Sequence, residues 1–227
     1  MPKKTIEIKN LDYVYPDGTA ALRDINLDIF AGESVGIIGA YGAGKTTLLL
    51  HLNGILKGEG NIRVSDLKME ERNLPRIRNK VGLVFQDPEN QLFMPTVFDD
   101  VSFGPINMLL SKAQVEASVN QALKEVGMAH SIKRSSHHLS FGEKKRVSIA
   151  TVLSMKPQIL VLDEPTSNLD PKGRRGIIKL LKALNKTKIV ASHDLEMISE
   201  ICSRYIFLDK GKIVKSDSTA ENLANLF

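Results

Sequence analysis

Hydrophobic positions along the chain follow two rhythms. Ile6, Ile8 and Leu11, then Ile25, Leu27 and Ile29, alternate with polar residues, which predicts two strands with one buried face each, the first of edge type. Pro16, Asp17 and Gly18 supply turn chemistry between them. Val35-Gly36-Ile37-Ile38 is apolar throughout, the pattern of a strand covered on both faces in a parallel sheet. A glycine-rich stretch follows. Leu48, Leu49, Leu52, Ile55 and Leu56 then recur at helical spacing, predicting a helix closed by Gly58 and Gly60.

Residues 81–85 read as another buried strand, after which the rhythm changes. The 86–140 interval predicts a helical insertion. One of its helices carries Val115, Val119, Ala122, Leu123 and Val126 on one face and opens with Ser111 and Gln114 in capping-box spacing. The strand rhythm returns at 159–162, followed by a helix beginning at Asp170-Pro171, strands at 189–191 and 205–208, a turn at 209–212, and a short last helix capped by Ser218 and Glu221. Buried strands alternating with amphipathic helices predict an α/β fold with a mostly parallel sheet. The organisation is a single domain over 1–227, with a helical subdomain at about 87–155.

Composition narrows the class. With 42% hydrophobic and 25% charged residues the chain has the balance of a globular domain able to bury a core. No window approaches the length of a membrane span, and the N-terminus has no apolar signal core. Cys202 is the single cysteine, so an internal disulfide is impossible; it reads as a small buried hydrophobe in a reducing compartment. Secreted, membrane-spanning, disordered and disulfide-stapled classes are excluded. The net charge is +5, but the bases are scattered. Their densest groups, Lys144-Lys145-Arg146 and 172–175, fall within predicted helices and read as a solvated face. With no Trp and few aromatics there is no stacking platform, and no nucleic-acid partner is expected.

Two motifs carry chemistry. Gly39-Ala40-Tyr41-Gly42-Ala43-Gly44-Lys45-Thr46 fits G-x-x-x-x-G-K-[ST] after a buried strand and before a helix. Its glycines let backbone N–H groups approach phosphate oxygens. Lys45 bridges β and γ oxygens, the Thr46 hydroxyl binds Mg²⁺, and Thr47 joins the same nucleotide site. The second motif is an apolar strand ending in Asp163 and Glu164, the first suited to Mg²⁺ and the second to polarising a water. A strand-ending Asp-Glu alone fits a surface turn equally well; paired with the phosphate loop it points to a nucleoside triphosphatase. The guanine motif Asn-Lys-x-Asp is not matched, since Asn185-Lys186-Thr187-Lys188 ends in lysine.

Three further segments narrow the class: Leu139-Ser140-Phe141-Gly142-Glu143 before the Asp163 strand, Ser167-Asn168-Leu169-Asp170 after it, and Ala191-Ser192-His193-Asp194 at the end of the next strand. With Gln86 closing the earlier strand, this ordered set resembles the ABC-transporter ATPase family along the whole chain. The resemblance implies a RecA-like P-loop core with an N-terminal antiparallel β subdomain, and it implies ATP and Mg²⁺ as ligands. It further implies that ATP is clamped between two head-to-tail subunits, Ser140 and Gly142 of one meeting the γ-phosphate held by the other. His193 matches the switch histidine, and Gln86 the glutamine that senses Mg²⁺ and γ-phosphate. Asp170 matches the interface aspartate, and Tyr15 the aromatic that stacks on adenine, with Tyr13 as the neighbouring alternative. Phe141 and Glu143 depart from the usual Leu-Ser-Gly-Gly-Gln, and Ala40-Tyr41 from the commoner Pro-Asn. Lys45, Gln86, Asp163, Glu164 and His193 are intact, which favours an active ATPase.

The stretch Gln86-Asp87-Pro88-Glu89-Asn90-Gln91-Leu92-Phe93, with Pro95-Thr96-Val97 and Asp100-Val101-Ser102-Phe103-Gly104-Pro105, resembles the energy-coupling-factor type of importer. That implies a second copy or homologous ATPase subunit, a transmembrane coupling protein, a membrane substrate-binding subunit, and a place on the cytoplasmic face of the membrane. The signature resembles cobalt/nickel members; a vitamin importer or another ABC transporter is the alternative, and an ATPase acting on DNA or ribosomes a more distant one. The chain ends soon after its last predicted helix, leaving no room for an appended regulatory domain. His137-His138 reads as linker or interface, and the methionines as core and groove filler.

Overall fold

The computed structural model describes residues 3–217, so the helix predicted at Ser218 and Glu221 lies outside the described residues. The alternating segments form β1 (Lys4–Val14) and β2 (Ala20–Phe30), paired antiparallel across the predicted turn. Ile6, Ile8, Leu11, Ile25 and Ile29 all point inward. The apolar run becomes β3 (Ser34–Ile38), followed by α1 (Lys45–Leu52).

Here the helix prediction is corrected: α1 stops two turns in. Gly54 takes φ +70, its N–H reaches the His51 carbonyl (3.3 Å), and the Ile55 N–H caps the Leu50 carbonyl (3.0 Å). Ile55, assigned to the buried face, is 47% exposed. The next element, β4 (Glu59–Val64), pairs with β1 on the side opposite β2. Consequently β1 is an interior strand, not an edge. A two-residue β5 (Leu67–Lys68) completes this four-stranded sheet, in the order β2-β1-β4-β5.

The chain continues through α2 (Leu74–Lys80) into β6 (Val81–Val84), then α3 (Val97–Asn107), α4 (Lys112–Glu125) and α5 (Phe141–Leu153). Sequence-coded caps open all three of these last helices. Thr96 accepts from the Asp99 N–H, and both Ser111 with Gln114 and Ser140 with Glu143 close complete capping boxes. Buried Asp100 accepts from the N–H groups of Phe93 and Met94 (both 2.9 Å) and from the Ser136 hydroxyl (2.7 Å), which ties α3 to the segment leading into α5.

Then follow β7 (Ile159–Asp163), α6 (Pro171–Ala183), β8 (Thr187–Ala191), α7 (Leu195–Ile201), β9 (Arg204–Asp209) and β10 (Lys212–Asp217). The second sheet has the order β10-β9-β3-β8-β7-β6, parallel except for β10. Its period of two divides the apolar strands between two cores. Ile38, Leu160, Leu162 and Val190 pack with α3–α7, while Val35, Ile37, Ile159, Val161 and Ile189 pack with α1 and the antiparallel sheet. Burial on both faces is why these strands read as unbroken apolar runs. Among the described residues no helix is long and apolar enough to cross a membrane.

Candidate active site

In an open α/β sheet a ligand site forms beyond the carboxyl ends of the strands, and here β3, β7 and β8 end side by side. After Ile38 the chain turns sharply. A Cβ on Gly39 would stand 2.2 Å from the Leu208 carbonyl oxygen, so only glycine lets the loop pack on β9. Gly44 adopts φ +103, with its Cβ position 2.6 Å from the Ala21 carbonyl oxygen. As N-cap of α1 it offers no side-chain acceptor, so the first N–H groups of the helix face the cleft. The Lys45 ammonium donates to the carbonyls of Gly39 (2.7 Å) and Ala40 (3.1 Å), which holds a cation at the loop mouth.

The two adjacent carboxylates are treated differently. Asp163, at the end of β7, accepts from the Thr46 hydroxyl at one oxygen (2.7 Å), and its other oxygen is buried without a partner. Burial pushes this carboxyl above its ordinary range, only partly opposed by the Thr46 hydroxyl. An orphaned carboxylate oxygen beside a hydroxyl is the donor set of a hard divalent cation such as Mg²⁺. Glu164 is held from three sides instead, with one lone-pair site left over. Its carboxylate accepts from the Ser192 hydroxyl (2.7 Å), the His193 N–H (3.1 Å) and His193 Nδ1 (2.9 Å). A carboxylate only accepts, so Nδ1 carries the proton. Glu164 also sits in the left-handed region at φ +44, a conformation worth about 1–2 kcal/mol of strain for a side chain with Cβ. Its carbonyl is pinned by the Ser167 N–H (3.2 Å), the Ser167 hydroxyl (2.9 Å) and the Lys145 ammonium (3.1 Å).

One cleft of ≈ 420 Å³ gathers Tyr15, Tyr41, Gly42, Ala43, Gly44, Lys45, Thr46, Thr47, Gln86, Asp163, Glu164 and His193. Gly39 and Ala40 stand at the base of the loop. Tyr15, not Tyr13, lines the cleft, with its hydroxyl 2.9 Å from the Thr47 hydroxyl; Tyr13 packs edge-on behind it (5.0 Å) and against His51 (4.8 Å). Ser140, Gly142 and Asp170 do not line this cleft. Ser140 caps α5, and Asp170 caps α6 by accepting from the Gly173 N–H (2.8 Å). Both signature departures have structural partners: Glu143 closes the box on Ser140, and the Phe141 ring lies 5.9 Å from the Lys145 ammonium.

The basic clusters are a solvated face only in part: Lys172 and Arg175 are exposed, but Lys145 and Arg174 are engaged inside the fold. Lys145 has 0% of its surface exposed and donates to the carbonyls of Gln86 and Glu164; burial brings its ammonium down to about 8. Lys144 pairs with Glu89 (2.6 Å), and Arg146 donates to the Val126 carbonyl (3.1 Å). Arg174 forks onto Asp194 (2.7 and 2.7 Å) behind His193 and holds that carboxyl down at about 2. The signal missed at Lys145 was helical register, because it shares a face with Ser148, Ile149 and Val152, all buried. Ser192 gave no comparable signal beyond its place between a buried strand and His193.

On the far side of the 85–91 segment lies a second, apolar groove of ≈ 510 Å³, lined by Phe85, Phe93, Phe103, Met108 and Met155 among others. Phe93 is 60% and Phe103 47% exposed.

Comparison with known proteins agrees with this geometry. The family description "ABC transporter" matches residues 22–167. A putative ABC transporter ATP-binding protein of Geobacter sulfurreducens is 52% identical, over 99% of this chain and 91% of its own length. The energy-coupling factor transporter ATP-binding protein EcfA of Methanothermobacter thermautotrophicus is 49% identical, over 95% of this chain and 71% of its own. Among solved structures, cbiO1 of Clostridium perfringens, part of the ABC transporter complex cbiONQ, superposes with TM-score 0.87 at 41% identity, covering 98% and 91% of the two chains. The ATP-binding cassette MJ0796, dimeric and bound to ADP and Pi after hydrolysis, superposes with TM-score 0.85 at 30% identity, covering 94% and 98%. A chain with a glycine-lined phosphate loop, two strand-end carboxylates and these relatives belongs to the ABC transporter family, as one of its ATP-hydrolysing subunits.

Proposed function

We propose that this chain is the ATPase of an energy-coupling-factor type importer, with cobalt or nickel ions as cargo, and that two copies close head to tail around ATP. The chain forms one ATPase domain over 1–227, carrying a helical subdomain at about 87–155. The observation that carries the reading is the division of the candidate residues. Lys45, Thr46, Gln86, Asp163, Glu164 and His193 share one cleft, while Ser140 and Gly142, at the N-terminus of α5, lie outside it and are free to meet the nucleotide of a second subunit.

In the proposed reaction Tyr15 stacks on adenine. The loop from Gly39 to Thr47 cradles the phosphates with main-chain N–H groups, and Lys45 leaves its own carbonyls for the β and γ oxygens. Thr46, Asp163 and Gln86 hold Mg²⁺, whose chemistry when bound is to neutralise the phosphate oxygens. Glu164, already oriented by Ser192 and His193, accepts the proton of the attacking water, and His193 Nε2 sits next to the γ-phosphate. Asp170 faces the partner across the dimer seam.

The membrane side of the reading draws on EcfA and on the complex containing cbiO1. The apolar groove beside Gln86 suits a helix of a transmembrane coupling protein. On this reading the chain works at the cytoplasmic membrane face, with a membrane substrate-binding subunit in the same assembly. The signature Leu139-Ser140-Phe141-Gly142-Glu143 favours cobalt or nickel over a vitamin. Affinity purification of the tagged chain from gently solubilised membranes, with mass and metal analysis, tests this. Recovery of a polytopic coupling protein with bound cobalt or nickel is the expected result; recovery of ribosomes or DNA-associated proteins overturns it.

A further inference from the structure

Lys145 is a buried ionic group to which the reaction outlined above gives no task. Lys145 is the largest fully buried side chain. An ammonium removed from water is costly unless its protons are bonded. This one donates to two main-chain carbonyls, those of Gln86 and Glu164, rather than to a carboxylate.

Its surroundings make that choice consequential. Two other links fasten the 85–91 segment to α5. Lys144 pairs with Glu89 (2.6 Å), and the Gln91 amide donates to the Ser148 carbonyl (2.8 Å) and the Thr151 hydroxyl (2.7 Å) while accepting from the Phe85 N–H (3.1 Å). The Gln86 segment and the helix capped by Ser140 are thereby tied as one body. Of these ties, Lys145 alone reaches on to the end of β7. There, beside the Ser167 N–H and hydroxyl, it grips the carbonyl of a residue held at φ +44, whose peptide orientation decides whether the carboxylate meets Ser192 and His193.

We propose that Lys145 is a positioning residue for Glu164: its ammonium fixes the Glu164 peptide, and so the carboxylate, to the Gln86 segment and to α5. A tilt of the signature helix then reaches the carboxylate through a single side chain. This inference rests on the reading of Glu164 as the residue that activates water.

The test compares K145M, E164Q and the double variant, following ATP turnover, ATP affinity and thermal unfolding. Met keeps the volume of the lysine stem and removes the buried charge, so K145M is expected to fold, with some loss of thermal stability from the carbonyl bonds it removes, and to bind ATP within about threefold of wild type. Its kcat is expected to fall by roughly 10–100-fold, the scale of a misplaced catalytic group. Added to E164Q, K145M is expected to lower the residual rate by less than about twofold, because both act through one carboxylate. K145Q, which keeps a shorter neutral donor, provides the same kcat-against-KM split if K145M does not fold. A K145M kcat within twofold of wild type, a loss confined to KM, or a full second loss on top of E164Q overturns the inference. Wild-type turnover by E164Q alone overturns the reading of Glu164 and this inference with it; an inactive E164Q beside an unimpaired K145M overturns only the latter.

Discussion

The 85–91 segment walls two hollows of similar size, and they are built on opposite principles. The proposed nucleotide cleft is made from main-chain N–H groups, an ammonium, an orphaned carboxylate oxygen and a glutamate held in a strained conformation. Each group has a fixed place, and few substitutes exist for any of them. The groove is made from Phe85, Phe93, Phe103, Met108 and Met155, side chains that define size and apolarity and can adjust to a partner. Chemistry demands preorganised dipoles; docking demands a compliant surface. Damage to the first is therefore expected to appear in turnover, and damage to the second in assembly.

The largest effect lies in the cleft. E164Q is expected to lower kcat by roughly 10²–10⁴-fold, the range for removing a positioned base. With Mg-ATP it is expected to elute as a stable dimer in gel filtration; a monomer at saturating nucleotide would break the head-to-tail reading. In the groove, F103S is expected to reduce recovery of the membrane partner by on the order of tenfold, the scale of losing an aromatic anchor. Calorimetric ATP affinity is expected to follow wild type, and a parallel loss of affinity would erase the distinction between the two hollows.

A third effect lies outside both. Asp194 titrates near 2 instead of the ordinary 3.8 because Arg174 holds it ionised, a difference worth on the order of 2 kcal/mol. Because the folded value is the lower one, this stability is fully present above about pH 4 and is lost as pH falls toward 2. Acid unfolding of wild type against D194N checks it: the curves are expected to converge at the acid end and separate above pH 4.

What could be read from the chain follows from how local each constraint is. The phosphate loop and the Asp163-Glu164 strand end were legible because each is a short motif whose geometry is set by its own residues. The capping boxes at Ser111 and Asp170's N-cap were legible for the same reason. β4 was not, since in Glu59–Val64 only Ile62 and Val64 are buried, too few to announce an alternation. Without it, β1 looked like an edge. The early stop of α1 depends on Gly54 turning left-handed while apolar residues continue past it. Lys145 and Arg174 were misread because charge was weighed ahead of helical register, and their partners lie on other elements: Glu164 for the first, Asp194 for the second. Ser192 became visible only when β7 and β8 were placed side by side.

The strand order also governs how the molecule is made. β3 carries the phosphate loop early in the chain, yet its two neighbours, β8 and β9, are the third-last and second-last strands among the described residues. At roughly 5–20 residues per second, an apolar strand leaves the ribosome and waits on the order of ten to thirty seconds for its pairing partners. During that interval the antiparallel sheet at the N-terminus can close, but the nucleotide cleft has no floor. The sheet around β3 thus closes only when β8 and β9 arrive, and truncated nascent chains carry an exposed β3 that invites chaperone capture or aggregation.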